Sequence, residues 1–169
     1  YKMLRSGQLL FTFLHLAADQ ELAKGLLDSD CVAIAYETVT DDNGGLPLLA
    51  PMSEVAGRLA VQAGAHALEY HKGGCGILMG GVPGVKPANV VVIGGGVVGM
   101  NAARMAAGLG ADVTVFDRNL NVLKKIDNDF NGRIKTIYSN HMKIEKAIRS
   151  AHMIVGAVLI PGAAAPKLV

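Results

Sequence analysis

The ten residues VVVIGGGVVG, from Val90 to Gly99, narrow the possible folds more than any other part of this chain. Four β-branched residues in a row describe a strand buried on both faces, the kind found inside parallel sheets. Three consecutive glycines then end it. Glycine weakens strands and helices alike, so the run marks a turn whose backbone must do something that side chains prevent. Gly94, Gly96 and Gly99 form G-x-G-x-x-G, a weak pattern when alone. Here it follows a strand, and the helix it opens carries small residues at Ala102, Ala103, Ala106 and Ala107. A second strand, DVTVF, then leads to Asp117, 18 positions after Gly99. That context suits a dinucleotide-binding turn. Gly94 permits the tight turn, Gly96 lets the backbone approach a pyrophosphate, and Gly99 lets the helix pack on the strands. The helix N-terminus offers unpaired N–H groups and partial positive charge to the phosphates. The plain alternative is a glycine-rich turn that holds no ligand.

A carboxylate at Asp117 can accept hydrogen bonds from the ribose hydroxyls of NAD and would repel the 2′-phosphate of NADP. It could equally be a surface residue capping the helix that starts near Asn119, and the adjacent Arg118 is a phosphate reader that weakens the discrimination. Ser139 and Asn140 follow a third strand, at the carboxyl edge where ligands gather in open α/β sheets. They could reach the adenine side or simply cap the helix HMKIEKAIRS. Val158 and Leu159 follow a fourth strand and could pack on adenine or ribose, or be ordinary core. From residue 89 onward the pattern predicts strands at Asn89–Ile93, Asp112–Phe116, Ile134–Tyr138 and His152–Val158. Helices are predicted at Gly96–Leu109, Asn119–Phe130 and His141–Ser150, giving consecutive βαβ units.

The first third of the chain alternates in the same way. Gln8–Leu16 predicts a strand running into a turn, Asp19–Asp30 a short helix capped by Asp19, and CVAIAYE a second buried strand. PMSEVAGRLAVQAGAHALEY has helical periodicity from about Ser53 to Tyr70, with an Ala-, Gly- and Leu-rich face suited to close packing. The Gly- and Pro-rich stretch from His71 to Asn89 is a loop or boundary. His15 stands where a strand gives way to a loop, where an imidazole can bond a carbonyl or move a proton, or can be merely structural. Glu37, at the end of the second strand, invites the same thought. No spacing of His, Cys or acidic residues predicts a metal site, and no Ser/His/Asp or Cys/His arrangement predicts nucleophilic catalysis.

At 169 residues, 51% apolar and 18% charged, the chain can build a core, and a net charge of +2 gives no reason to expect nucleic acid or a membrane surface as partner. Two cysteines without metal or disulfide spacing fit a reducing compartment, so a cytoplasmic protein is expected. The start at YKMLRSG and the stop at AAAPKLV both suggest cut ends.

LFTFLHLAAD, AIAYETV, LPLLAPMSEVAGRLAVQAGA, GGCGILMGGVPGVKPANVVVIGGGVVGMNAA and IVGAVLIPGAAAPKLV closely resemble the alanine dehydrogenase family over nearly the whole chain. The α-subunit of proton-translocating transhydrogenase is a relative, but its pattern around the glycines is closer to KVPPAKVMVIGAGVAG. The resemblance implies reversible oxidative deamination of L-alanine to pyruvate and ammonium, with NAD as cofactor, in a homo-oligomer of hexameric type. It implies an α/β fold: the first half of a Rossmann-type doubly wound parallel sheet, plus the end of an α/β catalytic domain. Residues 1–48 would be the C-terminal part of the first catalytic-domain segment, 49–72 the connecting helix, and 73–169 the truncated first half of the NAD-binding domain.

By the same resemblance His15 matches the catalytic histidine, Ser53 a residue near the cofactor phosphates, Asp117 the ribose-binding acid and Ser139 a residue near the adenosine. Val122 stands where many members carry a basic residue. The family's substrate-binding Arg and Lys would lie before Tyr1 and its catalytic Asp after Val169, so the 169 residues alone are expected to be inactive. The competing readings are an NAD(H)-binding transhydrogenase subunit and a non-catalytic nucleotide-binding module.

Overall fold

A computed structural model describes residues 2–159, which fall into two compact units, 2–51 and Met52–Leu159. In the first unit, strands β1 (Leu9–Thr12) and β2 (Val32–Ala35) pair in parallel, with Leu9 opposite Val32 and Thr12 opposite Ala35. Helix α1 (Gln20–Ser29) connects them. The Asp19 side chain caps it, accepting the Leu22 N–H at 2.9 Å, and Asp30 ends it in the left-handed region with φ 53°. β1 is shorter than the apolar run Gln8–Leu16 predicts, because the chain leaves the ladder after Thr12 and reaches a left-handed backbone at His15. The burial that the sequence predicts for β2 is not supplied within residues 2–51. Val32 and Ile34 are exposed in this two-stranded sheet.

Helix α2 (Ala50–Ala67) lies in the second unit from Met52 onward. It starts three residues earlier than its periodicity predicts, because Pro51 is acceptable in a first turn. It ends at Ala67, where Gly74 folds back so closely that a Cβ there would overlap the Ala67 carbonyl oxygen. Its glycine face packs as the sequence predicts: a Cβ on Gly57 would overlap the Val98 carbonyl oxygen, and one on Gly64 the Met153 side chain.

The rest of this unit is a four-stranded parallel sheet. Its strands are β3 (Asn89–Ile93), β4 (Asp112–Asp117), β5 (Lys135–Tyr138) and β6 (Met153–Gly156), in the order β5-β4-β3-β6. Helices α3 (Val97–Gly108), α4 (Leu120–Asp129) and α5 (His141–Ile148) join them.

The alternation of side chains along β3 explains why it is apolar throughout. Val90 and Val92 share one core with Ala102, Ala106, Val115, Ile126 and Val61, on the face that α2, α3 and α4 cover. Val91 and Ile93 point the other way, into a second core with Phe116 and Ile144 of α5. Burying each of these Val, Ile and Phe side chains contributes roughly 1.5–3 kcal/mol, which outweighs any preference of single residues. Helices on both faces make the sheet doubly wound. The order reverses between β3 and β6, and in open α/β sheets ligands bind in the crevice at such a reversal, beyond the carboxyl ends of the strands.

Candidate functional site

The glycine turn sits at that reversal. Gly94 has φ 100°, a conformation that L side chains rarely adopt, and its N–H donates to the Phe116 carbonyl at 2.7 Å. A Cβ on Gly94 would stand 2.7 Å from the carbonyl oxygen of Ala157, just past β6. A Cβ on Gly99 would overlap the Gly94 carbonyl oxygen, so α3 lies directly against the turn. Gly96 differs from both. It is exposed, it is the N-cap of α3 with no side-chain cap, and a Cβ there would meet no atom within 4 Å. Open space over a bare helix N-terminus is the shape a pyrophosphate requires, so these residues fit a dinucleotide.

Asp117 ends β4 beside the turn. Its Oδ2 accepts the Gly95 N–H at 2.7 Å and its Oδ1 the Asn119 N–H at 2.7 Å. A carboxylate has about four acceptor positions, so two bonds leave room for ribose hydroxyls. The helix cap itself is Asn119, whose side chain accepts the Asn121 N–H at 2.9 Å. Ser139 follows β5 and donates its backbone N–H to the Asp117 carbonyl at 2.9 Å, so the two lie side by side at the carboxyl edge. Asn140 caps α5, accepting the Lys143 N–H at 2.8 Å. Val158 is half-buried against the core that holds Ile93, while Leu159 is exposed. Ser53 is one helical turn before Gly57, the point where α2 meets the first turn of α3.

The motif alone does not single out Gly95. A Cβ there would lie 2.6 Å from Val122 Cγ1 and 3.0 Å from Ile126 Cδ1, so the middle glycine admits α4 rather than a ligand. The signal was present as three glycines where the motif needs only the outer two of them.

In the first unit the structure joins His15 to Glu37. Glu37 belongs to a short 3-10 turn, Tyr36–Thr38, that follows β2. Its Oε1 accepts the N–H of His15 at 2.6 Å and of Leu14 at 3.1 Å, and its Oε2 lies 3.2 Å from the Leu14 nitrogen. Burial pushes the Glu37 carboxyl up, but the N–H groups of His15, Glu37 itself and Leu14, with the His15 charge, together hold it below the usual carboxylate range. His15 is exposed, with φ 50° and ψ 39°. Among the described residues no group of three His, Cys, Asp or Glu side chains could hold a metal ion, and no helix is long and apolar enough to cross a membrane.

Comparison with known proteins agrees with this architecture. Residues 1–56 match the family description "Alanine dehydrogenase/PNT, N-terminal domain", and residues 60–169 match "Alanine dehydrogenase/PNT, C-terminal domain". The chain is 63% identical over 166 residues to an alanine dehydrogenase of Halomonas elongata, covering 98% of this chain and 45% of that protein. It is 57% identical over 169 residues to that of Bacillus subtilis, covering 100% of this chain and 44% of the relative. A solved L-alanine dehydrogenase superposes with a TM-score of 0.88 at 54% identity, covering 100% of this chain and 47% of that one. A transhydrogenase from Sinorhizobium meliloti, 23% identical with a TM-score of 0.74 over 98% of this chain and 49% of its own, shares the fold. The chain thus spans a little under half the length of the relatives it matches. On both matched domains, and on identities above half along its whole length, this chain belongs to the alanine dehydrogenase/PNT family.

Proposed function

We propose that the protein to which these residues belong catalyses reversible, NAD-dependent oxidative deamination of L-alanine to pyruvate and ammonium. The observation that carries this reading is the 63% identity to an alanine dehydrogenase across 98% of the chain. Within the reading, residues 1–48 end the first catalytic-domain segment, 49–72 connect, and 73–169 begin the cofactor-binding domain. Bound NAD⁺ supplies the hydride acceptor. The chain's own residues do the rest of what is assigned here. Gly94, Gly96 and Gly99 let backbone N–H groups at the start of α3 face the pyrophosphate. Asp117 accepts from the ribose hydroxyls and disfavours a 2′-phosphate. Ser53 serves the phosphate side, while Ser139, Val158 and Leu159 serve the adenosine side. His15 contacts the substrate carbonyl and moves a proton.

Substrate anchoring and a partner carboxylate come from parts of the protein outside these 169 residues, and the working enzyme is a cytoplasmic homo-oligomer of hexameric type. The test is NADH formation by the full-length protein with L-alanine, beside glycine, L-serine and no amino acid. Alanine-dependent reduction of NAD⁺ is expected. Its absence, with NADH binding intact, would overturn the reading in favour of nucleotide binding without amino-acid chemistry.

A further inference from the structure

We infer that Glu37 is a positioning residue for His15, acting through the backbone N–H groups of Leu14 and His15 rather than through the imidazole. The inference rests on the alanine dehydrogenase reading above. Its geometry comes from the strand register. Thr12 pairs with Ala35 at the carboxyl ends of β1 and β2, so Leu14 and Glu37 each lie two residues beyond a paired position. The Glu37 carboxylate spans that gap and takes both N–H groups, the shorter bond, 2.6 Å, going to His15. His15 has φ 50° without being glycine, and a β-carbon makes that conformation unfavourable unless the surroundings impose it.

The carboxylate is one such constraint. A second holds Glu37 itself in place. The Tyr36 ring sits edge-on to Phe11 at 4.3 Å and to Phe13 at 5.1 Å between centroids, which ties the 3-10 turn to β1. Without Glu37, His15 has one less reason to keep its backbone conformation, and its ring direction follows the backbone. Displacing a reacting group by about an ångström can cost 10²-fold in rate.

The experiment uses the full-length enzyme with Glu37→Ala, Glu37→Gln, His15→Ala and the double variant His15→Ala/Glu37→Ala. Glu37→Ala should lower kcat for alanine by about 10- to 100-fold, while the KM values for alanine and NAD⁺ move by less than about threefold. Glu37→Gln keeps an oxygen that can accept both N–H groups and should recover most of the loss. In the His15→Ala background, Glu37→Ala should cost almost nothing more, because its effect passes through His15. NADH binding reports whether each variant is folded, and amide exchange at Leu14 and His15, slow in the wild type and in Glu37→Gln, reports the bonds directly. Wild-type kcat in Glu37→Ala, a full additive loss in the double variant, or fast exchange in the wild type would each overturn the inference. Should wild-type enzyme itself leave alanine unreacted, the failure belongs to the functional reading instead, and the inference falls with it.

Discussion

Asp117 accepts the Gly95 N–H at 2.7 Å, so the carboxylate proposed for the ribose hydroxyls also fastens the turn proposed for the pyrophosphate. Removing it therefore acts twice. Asp117→Ala in the full-length enzyme should lower NAD⁺ affinity by at least about tenfold, since each charge-assisted hydrogen bond contributes ~1.5–3 kcal/mol. It should also narrow the preference for NAD⁺ over NADP⁺, helped by Arg118. Values of kcat/KM for both cofactors, in wild type and variant, check this. Equal values in the wild type would contradict the role given to Asp117.

Gly96 and Gly99 should separate binding from folding. The space beyond Gly96 is open, whereas a Cβ on Gly99 would overlap the Gly94 carbonyl. Gly96→Ala is expected to leave the melting temperature within about 2 °C of wild type and to weaken ADP-ribose binding by tenfold or more, since the added methyl would enter the space proposed for the pyrophosphate. Gly99→Ala should lower the melting temperature outright. Thermal melts and a binding titration on both variants decide it, and a Gly96→Ala protein that binds ADP-ribose normally would refute the placement of the phosphates.

His15→Ala in the full-length enzyme should reduce alanine turnover by about 10²-fold or more, the usual worth of a positioned proton-transfer group. NADH affinity should hardly change, because the glycine turn and Asp117 are left untouched. Steady-state kinetics and NADH fluorescence titration give the two numbers, and a wild-type kcat would return His15 to a structural role.

The Glu37 carboxyl is held below its ordinary range against the opposing effect of burial, by the N–H groups of His15, Glu37 and Leu14. A group whose folded-state pKa lies below the unfolded one adds stability that is complete above the unfolded value and is lost as pH falls through the folded one. The contact is thus intact above the ordinary glutamate pKa of ~4.3 and fades below it. Amide exchange at Leu14 and His15 should quicken as pH drops through this window beyond the intrinsic pH dependence of exchange, and Glu37→Gln, which cannot titrate, should lack the extra change. An identical acid response in both proteins would contradict it.

The nucleotide half was legible because its strands announce themselves. Val90–Ile93 is apolar at every position, which only burial on both faces allows, and the predicted bounds of β3 agree with the structure. Helix α4 begins within a residue of its predicted start, although its cap is Asn119 and not the Asp117 that the sequence offered as an alternative. Burial is less legible in the first unit. Leu9, Phe11, Val32 and Ile34 have the composition of a core and are exposed, and no local pattern distinguishes a strand that other structure covers from one left open. His15 and Glu37 each stand out in the sequence as strand-end residues. Their bond does not, because it depends on the register between two strands 23 residues apart, and register is a property of the folded sheet.

The close fit between Gly95 and helix α4 binds the evolution of two distant positions. With Val122 Cγ1 2.6 Å from where a Gly95 β-carbon would stand, a side chain at 95 requires the one at 122 to turn away or the start of α4 to shift. A homologue with alanine at the position of Gly95 should carry a smaller or differently directed side chain at that of Val122. A mutagenesis library that varies the turn alone should favour glycine at 95 whatever nucleotide is used for selection, and that preference would report on the neighbouring helix rather than on ligand choice.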